Sequence, residues 1–108
     1  MKKLIAAGAA TALAAGALAI PAFAATKTVQ VKDNKFVASS ITVSKGTTVK
    51  WVWKGKAPHD VSVRKGPAKF KSTVQTKGSF SKKLTKKGTY SIVCTIHEPG
   101  MKMTIKVK

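Results

Sequence analysis

The chain has 108 residues, with 21 basic side chains against 3 acidic ones, a formal net charge of +18, and a single cysteine. That length supports one small domain, the lone thiol excludes an intrachain disulfide, and a basic set in which Arg64 is the only arginine argues against recognition of bases or phosphates by paired guanidinium bonds. The positive charge is spread over every segment, so it reads as a lysine-covered surface that steers the protein toward acidic partners or surfaces.

Lys2 and Lys3 precede a run of apolar or small residues from Leu4 to Ile20, Pro21 interrupts it, and Ala22-Phe23-Ala24 has the small-x-small form read by signal peptidase. The run is 17 residues, alanine-rich, and short for a bilayer span. Residues 1–24 are therefore expected to be a signal peptide and 25–108 the mature domain, exported to the periplasm or an extracellular, cell-envelope space. No cysteine near the cut would make it a lipoprotein. Loss of the two leading lysines leaves 19 basic and 3 acidic residues on 84, a net charge of +16. Exported domains this small usually add disulfides or a metal to a marginal core. Here only the metal is available, and a lone thiol in an oxidising compartment needs an occupant.

From Val29 onward apolar residues recur with period two, the signature of strands with one buried face. Val29 and Val31 are followed by Ile41 and Val43, then by Val49, Trp51 and Trp53 with Lys50 opposite. Val61 and Val63 come next. Tyr90, Ile92 and Cys94 share a face further on, and Met101, Met103, Ile105 and Val107 alternate with Lys102, Thr104, Lys106 and Lys108. Turn residues separate these runs: Asp33-Asn34, Lys45-Gly46, Lys54-Gly55, Lys65-Gly66-Pro67, Lys77-Gly78, Lys87-Gly88 and Glu98-Pro99-Gly100. The pattern predicts an all-β sandwich or small barrel of about seven or eight strands, with lysines on the outer faces discouraging edge pairing.

The chemistry is concentrated in Cys94-Thr95-Ile96-His97-Glu98-Pro99-Gly100-Met101. The two-residue gap lets Cys94 and His97 face one centre from a tight loop, and Pro99-Gly100 turns the chain so that Met101 approaches from another side. His59, the only other histidine, supplies a second imidazole behind Pro58. A trigonal His-Cys-His set with a weak axial Met is the blue-copper electron-transfer arrangement, whose soft sulfur and imidazole ligands suit both Cu(I) and Cu(II). The expected cofactor is one copper ion per chain. Zinc would sooner take a carboxylate or water than a thioether. A binuclear copper site needs a second cysteine, and no serine-histidine-carboxylate set remains for hydrolysis. Four protein ligands leave no open position for substrate, so an enzyme is not expected.

Ala57-Pro58-His59-Asp60-Val61, together with Tyr90-x-x-x-Cys94-x-x-His97-x-x-x-Met101, resembles the plastocyanin/azurin family of cupredoxins, in particular its small plastocyanin-like and amicyanin-like bacterial members. The likeness extends through Phe36, Ile41-x-Val43-x-x-Gly46, Val49-x-Trp51, Gly88-Thr89-Tyr90 and the closing strand. It implies a Greek-key, cupredoxin-like β-sandwich with copper at one end. It also implies electron shuttling through the exposed edge of His97. His59 would lie in a loop before a strand, and Cys94, His97 and Met101 in the loop joining the last two strands.

Two positions depart from the family pattern. Ala38 stands where proline is common, and Asp60 stands where asparagine usually ties the two ligand loops together. Asp60 either lies near the Cys94 loop, where its charge would favour Cu(II), or turns outward among solvent and lysines. The expected partners are acidic or anionic redox proteins, with nonspecific contact to an anionic cell envelope, no specific nucleic acid, and a monomeric chain. A copper carrier using the same residues is the alternative function. A polyanion-binding module rests on charge alone, because aromatic residues do not alternate with basic ones on an exposed face.

Overall fold

The computed structural model describes residues 25–108; the expected signal peptide, residues 1–24, lies outside the described residues. Within them the chain forms eight strands and no helix: β1 (Thr26–Lys32), β2 (Lys35–Val37), β3 (Ser40–Val43), β4 (Thr48–Trp53), β5 (Ser62–Lys65), β6 (Ser79–Lys83), β7 (Gly88–Val93) and β8 (Lys102–Val107). They build two four-stranded sheets, ordered β2-β1-β4-β6 and β3-β8-β7-β5. The fold is the all-β sandwich that the alternation implies, in the cupredoxin-like form that the resemblance implies.

The period-two residues face inward as expected. Val29, Val31, Val49, Trp51 and Trp53 cover the inner face of the first sheet, and Tyr90, Ile92, Met103, Ile105 and Val107 that of the second. Lys50, Lys102 and Lys106 point to solvent between them. Trp51 stands at the centre, 6.1 Å from the Phe70 ring and 5.8 Å from the Phe80 ring, and its indole N–H meets the Met103 sulfur at 3.4 Å. Both tryptophans are core residues, and Met103 packs there too, as its distance from the ligand loop suggests.

Two strands carry little periodic signal. β2 buries only Phe36, and β6 only half-buries Phe80. They are the two edges of the same sheet, so each has one neighbouring strand and little apolar surface to hide.

The direction of two pairings decides where the loops go. β1 runs parallel to β4, with Val29 opposite Trp51 and Val31 opposite Trp53, and β3 runs parallel to β8. Parallel neighbours finish at the same end of a sheet, so the Asp33 turn after β1 and the connection after β4 emerge side by side. β7 pairs antiparallel with both β5 and β8. Its last residue, Val93, therefore lies opposite Ser62 and Lys102, the first residues of those strands. The segments 54–61 and 94–101, and the Asp33 turn, thus converge on one end of the sandwich.

Candidate metal centre

His59, Cys94 and His97 form the only cluster of this kind among the described residues, their ligand atoms all within 4.8 Å of one another. The His59 and His97 Nδ1 atoms are 3.1 Å apart, and Cys94 Sγ lies 3.8 Å from the first and 3.6 Å from the second. Two nitrogens and a sulfur bound at about 2.0 and 2.3 Å around one ion, at trigonal to tetrahedral angles, lie roughly 3.3 to 3.8 Å from each other, so both sulfur separations match and the two nitrogens stand slightly closer. The separations and the donor chemistry fit a single metal ion.

Each donor is held by its own segment. His59 pairs with Gln75 in an isolated bridge, its N–H donating to the Gln75 carbonyl and its carbonyl accepting the Gln75 N–H, both at 2.9 Å. The Trp53 indole N–H also donates to the His59 carbonyl at 3.2 Å. Two residues on, the Val61 N–H donates to Ser72 Oγ at 2.9 Å, and the Ser72 N–H to the Val61 carbonyl at 2.8 Å.

Cys94, His97 and Met101 are tied in a ring of backbone bonds. The Cys94 N–H donates to the Met101 carbonyl, the Met101 N–H to the His97 carbonyl and the His97 N–H to the Cys94 carbonyl, at 3.0 to 3.2 Å. The three residues expected from one short loop are therefore locked to each other before any side chain is considered. The Met101 side chain is buried with the core. Glu98, inside this loop, is paired with Arg64 on β5 through two of its guanidinium nitrogens, Nη2 and Nε, with Nε donating at 3.1 Å, and the carboxylate raises the already high pKa of Arg64.

Asp60 points inward. It is 2% exposed, its Oδ1 accepts the Thr95 N–H and its Oδ2 the Thr95 hydroxyl, each at 2.7 Å, and its own N–H is directed at Cys94 Sγ at 3.5 Å. The outward orientation is thereby excluded. A carboxylate only accepts, and both of its oxygens face donors here, so it ties the His59 segment to the Cys94 loop in the manner expected of asparagine.

One residue at this site carries only a turn signal in the sequence. Asp33 Oδ1 lies 3.1 Å from His59 Nε2, the ring nitrogen facing away from Cys94 and His97. Its carboxyl is held below the ordinary range, first by the Ala57 N–H, then by the His59 ring and the Lys56 N–H. Acid scarcity was the available signal. The chain has 3 acidic residues, and Asp33, Asp60 and Glu98 all touch or adjoin a histidine of the cluster.

Exposure separates the donors. His59 and Cys94 are fully buried, whereas His97 keeps part of its ring at the surface beside the exposed Ile96.

A protein-family model described as copper binding proteins, plastocyanin/azurin family, matches residues 24–108. Among solved structures, amicyanin from Paracoccus versutus (Thiobacillus versutus) superposes with a TM-score of 0.68 at 28% identity, over 77% of this chain and 81% of that one. A variant of amicyanin in its oxidized state gives a TM-score of 0.68 at 28% identity over 76% and 81%. A copper-containing nitrite reductase from Thermus scotoductus SA-01 gives 0.67 at 29% identity over 77% of this chain, but only 22% of the enzyme is covered. A sequence search of curated proteins returns no match.

Proposed function

Because the chain belongs to the plastocyanin/azurin family of copper-binding proteins, we propose that it is an exported mononuclear type 1 copper protein that passes single electrons between redox partners. His59, Cys94, His97 and Met101 are its ligands in this reading. The observation that carries it is the approach of two imidazole Nδ1 atoms and one thiol sulfur to within 3.1 to 3.8 Å, with two of the three donors shut off from water. Copper, when bound, supplies a one-electron couple between Cu(II) and Cu(I).

The protein's own residues account for the rest. Cys94 offers a thiolate that the Asp60 N–H steadies, and the buried side of the cluster excludes solvent and substrate alike. The ring of backbone bonds through Cys94, His97 and Met101 holds the ligand loop in one shape. A site that keeps its shape in both oxidation states avoids reorganisation on electron transfer. His97 is the donor that a partner can approach most closely, so electrons enter and leave on its side. The mature chain's charge of +16 favours acidic redox proteins as those partners.

Visible spectroscopy tests this directly. Mature protein loaded with one equivalent of copper should show an intense charge-transfer band from the Cys94 thiolate, bleach with one electron, and recover on reoxidation without losing the ion. Release of copper on reduction would favour a carrier instead, and the absence of the band would remove the type 1 reading.

A further inference from the structure

We infer that Asp33 is the positioning residue of His59: its carboxylate accepts the Nε2–H, which leaves the Nδ1 lone pair aimed at Cys94 and His97. The inference rests on His59 being a metal ligand and adds a residue that the ligand motif does not contain.

Three independent features of the fold converge on this carboxylate. Parallel pairing of β1 with β4 brings the Asp33 turn beside the segment leading into His59, although 26 residues separate them. Asn34, at φ 67°, makes that turn tight and keeps Asp33 at the end of the sheet. The segment then wraps around the carboxylate, with the Ala57 N–H donating to Oδ1 at 2.9 Å and the Lys56 N–H at 3.0 Å from Oδ1 and 3.2 Å from Oδ2.

Gly55 makes the wrapping possible. A Cβ there would lie 2.5 Å from Asp33 Cγ and 2.8 Å from the Asp33 nitrogen, inside any permitted contact. The sequence thus supplies both the carboxylate and the missing side chain that lets the backbone close on it.

The chemistry follows from what each group can donate. An ionised carboxylate has no proton to give, so the His59 Nε2 that faces it must carry one. In the neutral ring Nδ1 is then bare, the form a metal requires. Hydrogen bonding of the remote ring nitrogen to a carboxylate also fixes the ring's orientation and increases its donor strength. The imidazole is fully buried and Asp33 is partly exposed, so the carboxylate completes the cluster from its solvent side.

Ring nitrogen NMR shifts of His59 in the apo protein, taken at mildly alkaline pH, read the tautomer without copper. Wild type should be the Nε2–H form. Asp33→Ala should mix the two tautomers and weaken copper binding by roughly ten- to a hundredfold. Asp33→Asn keeps an acceptor oxygen for the backbone donors and for the ring. It should retain the wild-type tautomer and apo melting temperature while raising the reduction potential. A purely structural tether would leave tautomer and potential unmoved in both variants, and that result overturns the inference, as does a wild-type ring protonated at Nδ1. If Asp33→Ala does not fold, Asp33→Asn decides on potential alone: an unchanged potential overturns the proposal. A wild-type protein without a blue band would overturn the copper reading instead, while the apo tautomer would still report on Asp33.

Discussion

The two ends of the sandwich are closed by different chemistry. At the end away from the cluster, backbone groups do the work: the Lys45 N–H donates to the Lys108 carbonyl, the Gly46 N–H to Leu84, the Leu84 N–H to Thr47 and the Lys108 N–H to Val43, at 2.7 to 3.0 Å. Gly46, at φ 94°, permits that closure, and Lys45, Lys86, Lys87 and Lys108 stand exposed around it. At the cluster end side-chain carboxylates are added to the backbone bonds. Asp33 holds the segment before His59, Asp60 joins that segment to the Cys94 loop, and Glu98 fastens the loop to Arg64. Segments 57–63 and 94–101 contain no lysine. Backbone bonds fix the chain's path at both ends, but at the cluster end the orientation of the His59 ring and the joining of the two loops fall to side-chain acceptors, and this chain uses its three acids there.

If the cluster end is a fitted site on an independent scaffold, substitutions should separate the two. Cys94→Ser should abolish the visible charge-transfer band and most copper affinity while the apo protein still melts cooperatively. Trp51→Ala, in the core beneath both ends, should destabilise the apo domain by about 3–5 kcal/mol and shift its thermal melt accordingly. Equal damage to the fold from both would mean that the site and scaffold are not separable.

The lysine-covered surface should appear in kinetics and the carboxylates in equilibrium properties. Reduction by an acidic donor protein, followed by stopped flow, should slow steeply as salt is raised past ~0.1 M, where screening acts within about 10 Å. The reduction potential should move much less over the same range.

Asp60→Asn sharpens the contrast at one residue. Asparagine retains an acceptor for the Thr95 N–H and removes a negative charge beside Cys94, so voltammetry should give a higher potential. The expected rise is on the order of tens of millivolts, on a scale where 59 mV is a tenfold change for one electron. Apo stability should change little. A lower potential in the variant would contradict the electrostatic argument.

The smallest effect belongs to the far end. Tyr90 donates its hydroxyl to the Lys86 carbonyl at 3.0 Å, and burial raises its pKa above the ordinary 10.0. The unfolded chain then ionises Tyr90 before the folded one does. Its contribution is intact below pH 10.0 and is lost as pH climbs through the raised folded value. Denaturant titrations between pH 10.0 and that raised value should show a shallower decline for Tyr90→Phe than for wild type, with copper content unaffected.

How much was readable in advance follows the same division. The cluster was legible because its donors are rare: Cys94 is the sole cysteine, His97 follows it after two residues, and His59 is the only other histidine. The inner strands were legible because burial on one face imposes period two. β2 and β6 were not, since an edge strand with one inward apolar residue leaves almost no pattern. Asp33 carries only a turn signal along the chain, because its second partner, the His59 ring, is brought to it by strand pairing.

The sequence by itself determined the all-β class, the inward faces and the identity of the clustered donors, because periodicity and short-range spacing are properties of neighbours along the chain. Only the tertiary structure decided that β1 lies parallel to β4, that Asp60 turns inward to Thr95, and that Asp33 meets the far side of the His59 ring. Those contacts join residues 22 to 35 positions apart. Local pattern cannot encode them, because strand order and direction bring such residues together, and these emerge only when the two sheets bury their faces against each other.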